Sequence, residues 1–310
     1  MSNKKIIFNG VGVALITPFK NNQVDVGSLT KIVNHLLKNK VDAIVVLGTT
    51  GEPPTLSQTE KELIVNTVLK VNNNSSHKAK IILGVGSNST EHAIELAKWA
   101  QQFKVDGLLV VTPYYNKATQ NGVVAHYQAI AQAVNTPLIV YNVPGRTGVN
   151  IAPQTLEKIA QIKTVVGYKE ACGDISHNLY TQQVCQRNNI GFYSGNDDLN
   201  FLTYANRGNG TISVVANVFP DLCVKMWNLV QEQKIWLAQQ LHDKLLEVNN
   251  EMFIEVNPIP VKSAMAYYGF CTNEMRLPLT VIEPQHELVL HNALAKIKKG
   301  GKHETNNRRG

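Results

Sequence analysis

The sequence predicts an α/β fold in which eight β-α units close into a (β/α)8 TIM barrel carrying a C-terminal helical extension. Three observations predict it. Eight short apolar, β-branched runs recur through the first two thirds of the chain. These runs are continuous rather than alternating, as in strands buried on both faces of a parallel sheet. Segments with apolar residues at helical spacing follow them, long enough for crossover helices. With 310 residues, 44% of them hydrophobic, the chain has material for one large core.

In order, the predicted strands are Val11 to Ile16, Ala43 to Leu47, Ile81 to Val85, Gly107 to Val111, Leu138 to Tyr141, Val165 to Tyr168, Gly191 to Ser194 and Gly210 to Val214. The intervening helices are predicted over Ser28 to Leu37, Gln58 to Val71, Thr90 to Phe103, Asn121 to Val134 and Pro153 to Ile162, several opening on a capping residue or a first-turn proline. An open doubly wound sheet is the alternative, but no G-x-G-x-x-G follows the first strand, and Gly84-Val85-Gly86 lacks the rest of that fingerprint. Beyond Val218 the strand signals stop and helical pattern continues, broken by Asn257-Pro258-Ile259-Pro260. The expected division is residues 1–229 for the barrel and its active site, 230–296 for the helical region and 297–310 for a basic tail expected to be disordered.

The net charge of +7 raises the question of nucleic acid or an anionic membrane. Its location answers the question. Six cations against Glu304 lie from Lys296 onward, and Lys4 and Lys5 add two more, so the body between carries no general basic footprint. The stretch from Gly300 to Gly310 has no apolar periodicity and reads as a solvated end. Cys172, Cys185, Cys223 and Cys271 form no C-x-x-C pair, and no His cluster has zinc-like spacing, so reduced thiols and no metal are expected. The N-terminal residues lack the pattern of a signal peptide, and no apolar run approaches the roughly 20 residues needed to span a bilayer. A cytoplasmic protein is expected, with no nucleic-acid or membrane partner.

In a barrel the chemistry gathers where strands end and loops begin, so the strand ends are where polar residues carry meaning. They read Gly48-Thr49-Thr50-Gly51-Glu52, Thr112-Pro113-Tyr114-Tyr115-Asn116, Tyr141-Asn142-Val143-Pro144-Gly145-Arg146-Thr147-Gly148 and Gly167-Tyr168-Lys169-Glu170. A lysine at a barrel mouth sits where burial disfavours a charged amine, which suits a nucleophile that forms imines. By itself Lys169 is better explained as a structural residue paired with Glu170 or another loop carboxylate. A tyrosine nearby, such as Tyr141, would supply the proton transfers of imine formation, with a hydroxyl relay through Thr50 and Tyr115. A Thr-Thr turn between glycines exposes N–H and hydroxyl groups suited to a small carboxylate. A guanidinium at Arg146 suits a second carboxylate, gripped by two parallel hydrogen bonds.

Together these segments resemble the N-acetylneuraminate lyase and dihydrodipicolinate synthase superfamily, over about Gly10 to Pro278 and closest to its dihydrodipicolinate synthase branch. Gly48 to Glu52 resembles the pyruvate-binding turn. Tyr141 to Gly148 resembles the signature that carries a catalytic tyrosine and a substrate-binding arginine, and lyases of the superfamily that act on sugar acids generally lack that arginine. Val166 to Glu170 resembles the Schiff-base lysine segment. Asn257 to Lys262 and Arg276-Leu277-Pro278-Leu279 are similar to the C-terminal helical region.

The resemblance implies a lyase of lysine and diaminopimelate biosynthesis in which Lys169 forms an imine with pyruvate and the derived enamine attacks L-aspartate 4-semialdehyde, giving 4-hydroxy-tetrahydrodipicolinate. It implies a relay of Tyr141, Thr50 and Tyr115, with Tyr115 crossing to a neighbouring subunit beside Tyr114. Thr49 and Thr50 would hold the pyruvate carboxylate, the backbones of Gly195 and Ile212 would line the pocket, and Arg146 would receive the semialdehyde's carboxylate. No cofactor or metal is implied, and the expected assembly is a homotetramer, a dimer of dimers. Lysine-inhibited relatives use small residues after the Gly-Thr-Thr-Gly-Glu turn, histidines in the next helix, an Asn and a Glu after the third strand, and the first tyrosine of the pair. Here Asn88 and Tyr114 remain, while Pro53, Pro54, Gln58, Lys61 and His92 hold the other places. Weak or absent feedback by L-lysine is the expectation.

Overall fold

The computed structural model describes residues 4–303, with side chains described through Ile297. The chain begins with β1 (Gly10–Ala14), a short hairpin of β2 (Phe19–Lys20) and β3 (Gln23–Val24), and α1 (Val26–Lys38). It then alternates through β4 (Ala43–Val46), α2 (Gln58–Asn74), β5 (Lys80–Gly84), α3 (Thr90–Gln101), β6 (Gly107–Val111) and α4 (Gln120–Ala133). Next come β7 (Leu138–Asn142), α5 (Pro144–Thr147), α6 (Pro153–Ala160), β8 (Val165–Glu170), α7 (Ile175–Arg187), β9 (Gly191–Ser194), α8 (Asn200–Ala205), β10 (Gly210–Ser213) and α9 (Pro220–Gln231). Three helices follow, α10 (Ile235–Glu251), α11 (Ile259–Tyr267) and α12 (Pro284–His303).

Eight strands close into one parallel barrel in the order β1-β10-β9-β8-β7-β6-β5-β4. The eight predicted runs are these strands, and their residues are buried on both faces except at a few ends, which is why they carry no apolar-polar alternation. Local chemistry starts the helices where expected. Asp25, Ser89 and Thr119 each accept a backbone N–H of the first turn, Ser57 and Glu60 form a reciprocal capping box, and Pro153 opens α6. One continuous apolar cluster runs from Phe8 through the barrel to Ile297, so the last three helices share the barrel's core.

Two differences from the sequence reading matter. The strand predicted to stop at Tyr168 runs on to Glu170, which places Lys169 within β8 rather than after it. The tail expected to be disordered from residue 297 is helical backbone to His303, because α12 continues through the Lys-rich stretch; residues 304–310 lie outside the described residues. Among the described residues no helix is long and apolar enough to cross a membrane.

Candidate active site

Three loops at the carboxyl ends of β4, β7 and β8 build the site. After β4 the chain bends through Leu47 and Gly48 into a single 3-10 turn, Thr49–Gly51, closed by a hydrogen bond from Gly51 N–H to Gly48 C=O of 2.9 Å. Leu47 at φ 58° and Glu52 at φ 55° are both left-handed, an uncommon conformation for residues with side chains. The bend presses against the next strand so closely that a Cβ on Gly84 would meet the Leu47 carbonyl oxygen at 2.2 Å, so only glycine fits there.

The catalytic pairing is set by strand register. β7 and β8 slip by one residue between Leu138 and Ile139, and beyond the slip Tyr141 stands opposite Lys169 and Asn142 opposite Glu170. Without it Tyr141 would face Tyr168. The Lys169 ammonium lies 4.2 Å from the centre of the Tyr141 ring, and the side chain is only 5% exposed. Among the described residues it forms no ion pair. The alternative pairing with Glu170 is absent because successive strand residues point to opposite faces. Glu170 instead accepts from Asn142 Nδ2 at 2.8 Å, Cys172 N–H at 2.9 Å and the Tyr168 hydroxyl at 2.7 Å, with His177 Nε2 in contact at 3.3 Å. That carboxylate holds the His177 imidazole above its ordinary pKa against the opposing effect of burial.

A cleft of about 500 Å³ opens over this pair, lined among others by Thr49, Tyr114, Tyr115, Tyr141, Arg146 and Asn257. Lys169 and Thr50 are set one layer in, each touching a lining residue. Gly195 belongs to the same environment: a Cβ there would come within 2.9 Å of the Lys169 Cε. Ile212 is wholly buried in β10 opposite Gly12. Tyr115 is 88% exposed and left-handed at φ 73°, so within one chain its ring projects from the cleft rim.

Sequence reasoning missed Asn257, which it took as punctuation. Its side chain donates to Thr50 Oγ at 3.0 Å, and its main-chain carbonyl accepts from Arg146 Nη2 at 2.8 Å. A second missed link is Lys262, on α11, paired with Glu52 at 2.7 Å with both side chains inaccessible. Burial alone pushes the Glu52 carboxyl up and the Lys262 amine down, and their mutual contact opposes both shifts. Lys262 also lies 4.2 Å from the centre of the Phe19 ring. The C-terminal helical region thus grips the Thr-Thr turn at two places. Partial signals existed in Glu52 and in the Asn-Pro-Ile-Pro stretch, but contacts 207 and 210 positions apart follow no local pattern. Among the described residues no group of three or more His, Cys, Asp or Glu could hold a metal ion.

The same segments recur in known proteins. Residues 7–297 match the model of the dihydrodipicolinate synthetase family. A 4-hydroxy-tetrahydrodipicolinate synthase of Clostridium novyi is 43% identical over 294 residues, covering 94% of this chain and 98% of that protein. The enzyme of the same name from Thermosipho africanus is also 43% identical, over 88% of this chain and 93% of its own length. The crystal structure of dihydrodipicolinate synthase from Thermotoga maritima superposes with a TM-score of 0.91 at 41% identity, covering 94% and 98% of the two chains. A barrel with a lysine beside a tyrosine at its mouth, matched along nearly its whole length at this identity, leaves one assignment: the chain belongs to the dihydrodipicolinate synthetase family.

Proposed function

We propose that this chain is a lyase that condenses pyruvate with L-aspartate 4-semialdehyde to give 4-hydroxy-tetrahydrodipicolinate in lysine and diaminopimelate biosynthesis, acting in the cytoplasm. The barrel, residues 1–229, supplies the imine-forming pair, and the helical region, 230–296, supplies Asn257. The observation that carries the chemistry is Lys169, buried at the barrel mouth, without an ion-pair partner among the described residues and 4.2 Å from the Tyr141 ring centre. An amine without a carboxylate partner is free to reach a ketone bound in the cleft.

The amine adds to the pyruvate ketone, and the carbinolamine loses water to give an imine. Loss of a methyl proton converts the imine to an enamine, whose carbon attacks the semialdehyde's carbonyl. The substrate's amino group then adds to the imine carbon and expels Lys169, closing the ring. One water is lost overall for each pyruvate and semialdehyde joined. Proton transfers at the carbinolamine fall to Tyr141, Thr50 and Tyr115. Thr49 and Thr50 receive the pyruvate carboxylate, with the backbones of Gly195 and Ile212 around it, and no cofactor takes part. Arg146, whose guanidinium is docked on the Asn257 carbonyl, receives the semialdehyde's carboxylate. The exposed, left-handed Tyr115 supports a homotetramer, a dimer of dimers in which that ring completes a neighbour's site beside Tyr114.

The same reading gives weak or absent inhibition by L-lysine. Pro53, Pro54, Lys61 and Tyr114 line the outer part of the cleft, and His92 is engaged with Glu95 at 3.1 Å. A cation at Lys61, with no carboxylate in the place of His92, repels a ligand that brings two ammonium groups. Half-inhibition below millimolar lysine in a steady-state assay would overturn this.

The deciding experiment is intact mass after pyruvate and borohydride, followed by peptide mapping and a coupled assay with the semialdehyde. A pyruvyl adduct on Lys169 with turnover is expected. An adduct without turnover transfers the aldol chemistry to a different acceptor aldehyde, and no adduct removes Lys169 as nucleophile.

A further inference from the structure

We propose that Asn257 is a positioning residue that gives the hydroxyl relay its direction, its side chain acting on Thr50 while its main chain acts separately on Arg146. The inference rests on the reading of Lys169 and Thr50 above. A hydroxyl has one proton to donate and two lone pairs to accept with. A relay works only when that proton points along the path of transfer. Asn257 Nδ2 donates to Thr50 Oγ at 3.0 Å, in a pair where the residues are 6% and 2% exposed. The donated N–H occupies one lone pair of Thr50, so the Thr50 proton points away from Asn257, and its second lone pair stays free to accept.

The orientation of the amide follows from the same accounting. Among the described residues Oδ1 of Asn257 is buried without a partner. Turning the amide over would leave both of its N–H groups without a partner, whereas the observed orientation engages one of them with Thr50. A donor facing Thr50 also stabilises any negative charge that develops on its oxygen while the proton is in transit. The Asn257 carbonyl accepts from Arg146 through the backbone, so changing the side chain leaves that contact in place. Chemistry and clamp are therefore separable at one residue.

Asn257→Asp keeps shape and backbone but replaces the donor by an acceptor, so Thr50 would have to spend its own proton on the carboxylate. Steady-state kinetics and the initial rate of borohydride trapping by pyruvate are measured for wild type, Asn257→Asp, Asn257→Ala, Thr50→Val and the Thr50→Val/Asn257→Ala pair, each with its melting temperature. The expected result for Asn257→Asp is a loss on the order of 10²-fold in kcat and in trapping rate. The final amount of adduct is retained, and the semialdehyde KM stays within about 3-fold. Asn257→Ala is expected to add nothing to Thr50→Val, since both act through one hydroxyl. Additive losses in that pair, or a fall in kcat accompanied by a rise in KM and a fall in melting temperature, would overturn the proposal even where Asn257→Asp does not fold. A wild-type chain that traps no pyruvate overturns the reading of Lys169 itself. A wild type that traps normally beside an unimpaired Asn257→Asp overturns only the role of Asn257.

Discussion

β7 and β8 lie side by side in the barrel wall, and their two faces are bonded in opposite ways. On the inner face Tyr141 and Lys169 meet through a ring and an amine nitrogen, with no carboxylate against that nitrogen among the described residues. On the outer face, one residue further along each strand, Asn142 and Glu170 are bonded to each other and to their surroundings. Asn142 Nδ2 also reaches Asn150, its Oδ1 accepts from Ile151 N–H, and Glu170 gathers Tyr168, Cys172 and His177. The contrast teaches where rigidity comes from. A reactive amine needs freedom from strong partners, so the backbone that carries it is held from behind by groups that never touch substrate.

The sharpest way to break this comparison is Lys169→Met. Pyruvate trapping should vanish and turnover fall by on the order of 10³-fold or more. The melting temperature should stay level or rise, because a buried amine without a polar partner among the described residues is replaced by an apolar side chain of similar length. A fall of several degrees would mean that the inner face is also structural. Next in size is Glu170→Ala, which strands the Asn142 amide, the Tyr168 hydroxyl and the Cys172 N–H in a buried site. A loss of about 3–5 kcal/mol is expected in denaturant titration. Stability equal to wild type would show that the outer network does not hold the strand.

Two histidines on the outer helices sharpen the comparison through pH. His126 on α4 is buried with Nε2 unpartnered among the described residues, and burial pushes its pKa down to about 4 from an ordinary 6.5. A folded value below the unfolded one contributes stability that is complete above about 6.5 and is lost as pH falls through about 4. The loss amounts to up to roughly 3 kcal/mol. His126→Gln should flatten that acid arm in melts recorded between the two values. His177 titrates with the opposite sign. Its pKa is raised by Glu170, so its contribution is full below 6.5 and declines as pH climbs through the raised value. His177→Gln should remove that contribution from the alkaline side of the stability curve.

Much of the site was legible because its chemistry sits at strand ends. Thr49, Thr50, Tyr141, Arg146 and Lys169 each follow or end a recognisable apolar run, and the barrel rule gathers such ends on one rim. Gly195 was legible through the resemblance, and the Lys169 methylene packed against it gives the physical reason for a glycine there. Asn257 and Lys262 were not legible as site residues. They look like helix punctuation and an ordinary basic residue, and only the return of α11 over the barrel mouth gives them Thr50 and Glu52 as partners.

By itself the sequence determined the class, the count and order of the β-α units and the end of the barrel on which polar residues collect, because apolar periodicity and capping are local properties of the chain. Tertiary structure alone decided the one-residue slip that turns Lys169 toward Tyr141. It also decided the separation of Lys169 from Glu170 and the closure of the site by Asn257. Register and long-range hydrogen bonds are settled by the packing of the whole barrel, and no stretch of sequence carries enough of that packing to specify them.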